Sequence, residues 1–208
     1  AWQARHGSLL IHLRLACGGV ERADASASAG AAAALALRHL GHMHPRVRWA
    51  ALEVWGRLLA TDLAAAPLHL TDEAFEALLT IAGGDHYVRV RRRALLILML
   101  IATHAEAPLT AAHAEALFRR VLLPQAASRE ADVREACAST ARGLATVLGL
   151  GSGSEGSGTD MVGASAGAGQ LLGLWQELAQ VLAGAEAAHG GEGGAQEDAE
   201  IEWPPDWR

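Results

Sequence analysis

The chain has 208 residues, 51% hydrophobic and 4% aromatic, with a formal net charge of −6. Lysine and asparagine are absent altogether, which excludes a Walker A phosphate loop and any Schiff-base lysine within this stretch. The charge is uneven: residues 1–148 carry sixteen arginines against thirteen acids, a balance of +3, and residues 149–208 carry one arginine against ten acids, a balance of −9.

The first predicted helix covers residues 2–17. Its Arg5 opens a register that returns every 43 residues at Arg48, Arg91 and Arg134. Just before each arginine stand Ala4, Val47, Val90 and Val133, and three residues after it the small Ser8, Ala51, Ala94 and Cys137. Six after it come Ile11, Val54, Ile97 and Thr140, and ten after it Leu15, Leu58, Ile101 and Leu144. These offsets fall near multiples of 3.6, so the columns trace one stripe of a helix. The small column admits a close neighbour and the large column fills the space between.

A partner helix is predicted ahead of three of the four arginines, with columns at Ala32, Phe75 and Phe118 and at Leu35, Leu78 and Val121. Thr71 followed by Asp72 and Glu73 reads as a helix start, a hydroxyl cap with acids in the first turn. Pro67 before Thr71 and Pro108 before Thr110 punctuate the connections, and turns are predicted at 41–45, 83–85 and 124–128. Each unit is therefore helix, turn, helix. A fixed period in the forties marks a helical-repeat array. The chain starts without methionine and in mid-unit, so the expectation is a fragment of a longer array whose half-unit at 2–17 exposes an apolar face.

One period beyond Arg134 stands Glu177, and the columns fail. Residues 149–169, rich in glycine, serine and alanine, are predicted to be a flexible insert. Leu171, Leu172, Leu174, Trp175, Leu178, Val181 and Leu182 predict an amphipathic capping helix over 170–184, packed on the last unit. Residues 185–208 are predicted to be an acidic disordered tail. At its end Trp203 and Trp207 bracket Pro204, Pro205 and Asp206, and the prolines favour an extended conformation. The two tryptophans either fold back on the last helices or dock on a partner; both readings stay open.

Arg89, Arg92 and Arg93 with Arg119 and Arg120 suggest a basic strip for phosphates or an acidic peptide, with the chain's own acidic tail as a rival occupant. Arg5, Arg48, Arg91 and Arg134 belong to the structural column. His39, His42 and His44 cluster near a turn, but no cysteine or carboxylate lies nearby in sequence to complete a tetrahedral set, so they read as solvent-facing rather than as metal ligands. His104 with Glu106 and His113 with Glu115 do not form an H-E-x-x-H pair. The glycines of 149–158 do not sit between a strand and a helix, and no nucleophile elbow or dinucleotide fingerprint occurs. No catalysis, cofactor or small-molecule substrate is expected. Cys17 and Cys137 have no zinc or redox spacing, which is compatible with an intracellular, cytoplasmic chain. The apolar run at 94–102 is too short to span a bilayer, so no membrane partner is expected.

The pairs Val47–Arg48, Val90–Arg91 and Val133–Arg134, with Asp132 before the last and Asp85 upstream of the middle one, resemble the HEAT repeat of the HEAT/armadillo superfamily. The resemblance covers residues 1–148. It implies an all-α, right-handed α-solenoid of helical hairpins in which the arginine and a nearby aspartate tie adjacent turns together. The resemblance says little about function. Because a repeat array binds along a surface rather than enclosing a reactive pocket, the expectation is a non-catalytic protein-interaction scaffold, part of a larger helical-repeat protein. The segment 2–10 is similar to one in the helical-repeat arm of the ATPase that strips TATA-binding protein from DNA, and tubulin-folding cofactor D carries a similar Arg-His-Gly. His6-Gly7-x-Leu9-Leu10, with His44-Pro45-x-Val47-Arg48, resembles parts of THADA-type regulators of tRNA ribose methylation. That likeness implies an alternative: an accessory regulatory subunit of a nucleic-acid-modifying enzyme, holding RNA through Arg89, Arg92, Arg93, Arg119 and Arg120.

Overall fold

The computed structural model describes residues 2–17, 22–60, 71–103, 109–148 and 166–189, which are helical apart from short connections; no strand occurs among them. In chain order the elements are α1 (Trp2–Cys17), α2 (Arg22–Leu40), α3 (Pro45–Ala60), α4 (Asp72–Gly84), α5 (Val88–Thr103) and α6 (Ala111–Leu117). A π-helical turn (Phe118–Leu122), α7 (Leu123–Ala126), α8 (Ala131–Leu148) and α9 (Ala166–His189) follow. The chain is all-α. No helix among the described residues is long and apolar enough to cross a membrane.

The helix starts have local causes. Thr71 and Thr110 are extended, and their hydroxyls accept from the N–H groups of Ala74 and His113, each at 3.2 Å. Each cap satisfies one of the four N–H groups a helix leaves orphaned at its start. Asp72 and Glu73 add negative charge to the first turn of α4, where the helix dipole favours it. Pro45 opens α3, a position where a missing N–H costs nothing.

Packing follows the chain. α3 lies against α1, α2 and α5; α5 also meets α4 and α8; and α9 lies on α6, the π turn and α7. The predicted stripe is the buried one in three helices: Val47, Ala51, Val54 and Leu58 in α3, Val90, Ala94, Ile97 and Ile101 in α5, and Val133, Cys137, Thr140 and Leu144 in α8. Facing it, Ala32, Phe75, Leu78, Phe118 and Val121 are buried as well. Cys137 donates its S–H to the Leu122 carbonyl at 3.2 Å, and burial pushes the thiol up to about 12. It is a small packing group, not a reactive one. Thr140 shares its hydroxyl proton between Ala136 O at 2.8 Å and Leu95 O of α5 at 3.1 Å, so a polar side chain at an apolar column remains satisfied.

α1 differs from the other striped helices, and two expectations are corrected. In α1, Ala4 is exposed and Ile11 is 61% exposed, while Leu9 is buried. α1 packs chiefly on α2 and α3, which leaves part of its stripe open. Pro124 does not end its helix: the π turn precedes it, with Leu123 N–H bonded five residues back to Phe118 O, and α7 runs on to Ala126. A proline has no N–H to give the ladder, and the wider π turn lets the chain carry it without breaking. The turn falls instead at 127–130. Finally, α9 spans Ala166–His189 rather than 170–184. Leu171, Leu174 and Leu178 anchor it by burial. Ala166, Ala168, Ala185, Ala187 and Ala188, strong helix formers, extend it at both ends past the glycines that suggested its limits. Residues 149–165 and 190–208, with Trp203 and Trp207, lie outside the described residues, as do Pro67 and Pro108.

Gly83 explains how closely α4 meets the π turn. A Cβ there would lie 2.9 Å from the backbone carbonyl of Arg120, and Gln125 Nε2 donates to the Gly83 carbonyl at 2.8 Å. Gly83→Ala is therefore expected to destabilise by about 1–3 kcal/mol despite its better helix propensity. At exposed Gly30 of α2 a Cβ would meet nothing within 4 Å, and Gly30→Ala is expected to stabilise by roughly 0.5–1 kcal/mol. Urea unfolding of both variants checks the pair; equal shifts in the same direction would refute the packing account.

Candidate partner-binding surface

The periodic arginines meet the turns between helices. A guanidinium is planar, always charged and offers five donors in a fixed fork. Arg48, on α3, donates Nε to Asp85 Oδ2 at 2.6 Å and Nη2 to Asp85 Oδ1 at 2.9 Å. Its Nη1 donates to His42 O at 2.7 Å and Met43 O at 3.0 Å, in the turn before α3. One side chain thus joins the turn ahead of α3 to the turn ahead of α5. The pair is nearly out of water, with side-chain exposures of 13% for Arg48 and 4% for Asp85. Asp85 Oδ1 also accepts from Tyr87 N–H at 2.9 Å, so the same carboxylate shapes the approach to α5.

Arg91 donates Nη1 to Asp85 O at 2.7 Å and pairs through Nη2 with Glu130 Oε1 at 3.1 Å. Arg134 donates Nη1 to Ser128 O at 2.8 Å and Arg129 O at 2.9 Å. Positions 42, 85 and 128 lie 43 apart and hold histidine, aspartate and serine. Ser128 passes the contact on: its hydroxyl donates to Glu130 Oε2 at 2.5 Å. The Ser128 hydroxyl, the backbone N–H of Glu130 and the Arg91 charge hold the Glu130 carboxyl below its ordinary value, against a smaller opposing effect of burial. Asp132 takes no part in this series; it pairs with Arg92.

Four of the off-period arginines are engaged by acids of the chain itself. Arg92 reaches forward to Asp132 of α8 at 3.3 Å, and Arg93 reaches back to Glu53 of α3 at 2.8 Å. Arg119 pairs with Glu115 one turn earlier at 2.9 Å, and Arg120 with Glu76 of α4 at 2.7 Å. Arg89 is half-buried at the start of α5. Arg93 is a packing residue: its guanidinium lies so close to Gly56 that a Cβ there would overlap Nη2. Arg92, Arg119 and Arg120 are exposed and paired with acids that are themselves well exposed. Such pairs are worth about 0–1 kcal/mol and exchange readily for a partner's groups. Sequence reading overlooked Glu53 as the partner of Arg93, Glu76 as that of Arg120 and Glu130 as that of the periodic Arg91. The signal lay in the period, since Glu53 precedes Arg93 by 40 residues and Glu76 precedes Arg120 by 44.

The α1 end is different. Arg5 Nη1 meets His42 Nε2 at 2.8 Å, and His42 Nδ1 accepts from His44 N–H at 3.0 Å. Trp2 stacks on His44 with ring centroids 3.9 Å apart, and Arg46 sits 5.5 Å from the Trp2 ring. The His39 and His42 rings are 6.0 Å apart, edge to face. His6, His39 and His44 all titrate below the ordinary histidine value, first because burial disfavours their charged form and then because the charges acting on them are cations. Those are Arg46 on His6; His42, Arg5 and Arg38 on His39; and Arg46, His42, His6 and Arg48 on His44. Among the described residues no group of three His, Cys, Asp or Glu is arranged to hold a metal ion.

Removing the Asp85 carboxylate leaves the Arg48 charge half-buried and unmatched. Asp85→Ala is expected to cost about 3–5 kcal/mol, and Arg48→Met in the same chain should recover part of that loss. Denaturant unfolding of the single and double variants measures the coupling; purely additive costs would show that the pair does not hold the two turns together.

The histidine end predicts a pH dependence. His6, His39 and His44 have lower values in the folded chain than the ordinary 6.5, so the unfolded chain takes up protons first as pH falls. Stability is then full above pH 6.5 and declines below it until the folded-state values are reached. The urea midpoint should be lower at about pH 5.5 than at about pH 7.5, and the double change His39→Gln and His44→Gln should narrow the gap. A midpoint that does not move between the two would contradict this reading.

No family model, no curated protein and no solved structure matches this chain, so its own side chains carry what can be said of its function.

Proposed function

We propose that the chain is a HEAT-like, right-handed α-solenoid and a non-catalytic protein-interaction scaffold of the cytoplasm. The observation that carries this reading is the Arg48 contact set, which ties two successive turns through one side chain. Arg91 and Arg134 repeat its backbone half, each donating to the carbonyl six residues earlier. A recurring bond of that kind is what stacked helical hairpins need, because each unit buries its apolar face only against its neighbours. Arrays built this way bind along an extended surface rather than around an enclosed reactive centre. Arg92 and Arg119, exposed and paired with Asp132 and Glu115, supply charges such a surface can trade with a partner.

An acidic protein surface and a polyanion such as RNA would both displace Asp132, Glu115 and Glu76. They differ in the counterion release that makes RNA binding steeply salt-dependent. The test is the double variant Arg92→Glu and Arg119→Glu, with far-UV circular dichroism confirming an unchanged helix content. Under the scaffold reading, wild type retains a protein partner in cross-linked cell extract, the variant loses it, and neither retains RNA at low salt. Retention of RNA by the wild type, falling steeply with salt and lost in the variant, would replace this reading with the RNA-accessory one.

A further inference from the structure

We propose that the corner formed by Arg5 of α1, Arg38 and His39 of α2 and His42 of the following turn binds a carboxylate side chain of an acidic peptide. The inference rests on the scaffold reading only in taking the partner to be a protein.

His42 stands in the chain where Asp85 stands one period later, and it copies both of that residue's contacts. Asp85 accepts from Tyr87 N–H at 2.9 Å and from Arg48; His42 accepts from His44 N–H at 3.0 Å and faces Arg5 at 2.8 Å. A carboxylate can do this, because its two oxygens only accept. A neutral imidazole cannot, because one of its nitrogens always carries a proton. With Nδ1 accepting from the backbone, Nε2 bears the proton and points it at a guanidinium that also only donates. Two donors therefore converge on one point.

Among the described residues nothing resolves the mismatch. No acidic residue occurs in residues 1–20 or 25–52. The charges acting on neighbouring His39 are those of His42, Arg5 and Arg38, and Asp85 is committed to Arg48. Arg5 and Arg38 are exposed, and His39 and His42 are half-buried, so the corner is open to a ligand. A carboxylate entering between Arg5 and His42 would accept from both, forming the kind of bond that Asp85 and Glu130 make with Arg48 and Arg91. That precedent favours a carboxylate over a phosphate: the periodic arginines of this chain are paired with carboxylates wherever the chain supplies them.

The decisive variant is His42→Asp, which places the chain's own carboxylate beside Arg5. It should fold at least as stably as wild type, with a higher thermal midpoint, because the new pair repeats the Arg48–Asp85 arrangement. Binding of a fluorescent oligoglutamate peptide at low salt, followed by anisotropy, should weaken at least about tenfold in His42→Asp and in Arg5→Gln. Arg92→Glu with Arg119→Glu should leave it unchanged. Equal binding by wild type and His42→Asp would overturn the proposal, as would no binding by wild type. So would an RNA oligonucleotide that binds more tightly than the peptide and is lost in His42→Asp. If the peptide fails while the Arg92 and Arg119 variant still loses a captured protein, this corner is excluded and the scaffold reading stands.

Discussion

The structure turns on one buried ion pair. Asp85 would be costly to bury alone, since a carboxylate out of water needs both charge and hydrogen bonds to remain ionised. Arg48 supplies both, and the Tyr87 N–H supplies a further bond. Because Arg48 Nη1 also donates to His42 O and Met43 O, the two turns are held at a set spacing. That spacing decides which faces of α3 and α5 meet. Val54, Leu58, Ala94 and Ile97 can then lie together in the core. The apolar contacts provide most of the stabilisation; the ion pair decides their register.

The same bond is made less well at each end. At Arg91 the acceptor has moved two residues on, to Glu130, which is 42% exposed and leans on Ser128. At Arg5 the acceptor is an imidazole in a corner without acids. Solvent competes more at both places, and at the second the partner is not a carboxylate. Stability is therefore uneven along the chain, tightest around α3 to α5 and weakest where α1 attaches. This gradient separates holding from binding. Arg48 and Arg91 cannot swing to a ligand without releasing a turn, whereas Arg5 gives up little.

Much of the fold was legible in the residues because its packing is periodic and local. The stripes of α3, α5 and α8, the Thr71 cap and the burial of Phe75 and Phe118 all follow from spacing alone. What failed to show depends on neighbours that spacing does not specify. Ile11 fits the stripe, but its exposure depends on what lies beside α1. Pro124 looks like a stop signal, and only the π turn before it reveals how a helix carries it. The acids that pair with the basic strip were hidden too. Arg92 and Arg93 are adjacent in sequence, yet successive helical residues point about 100° apart. They accordingly serve different neighbours, Asp132 on α8 and Glu53 on α3. Reading the 43-residue column through Asp85 would have exposed His42 as the odd member.

Net charge also changes meaning once the pairs are known. The balance of +3 over residues 1–148 suggests a mildly basic surface throughout. Yet Arg48, Arg91, Arg92, Arg93, Arg119 and Arg120 each sit on a carboxylate, so the middle of the chain is close to neutral over a Debye length. The excess is concentrated at the α1 end, where Arg5, Arg38 and Arg46 stand among four histidines and no acid lies in residues 25–52. An average over 148 residues thus conceals a neutral body and a cationic corner. An acidic partner approaching this surface is steered to that corner, away from the arginine-rich segment of α5 that draws the eye in the sequence.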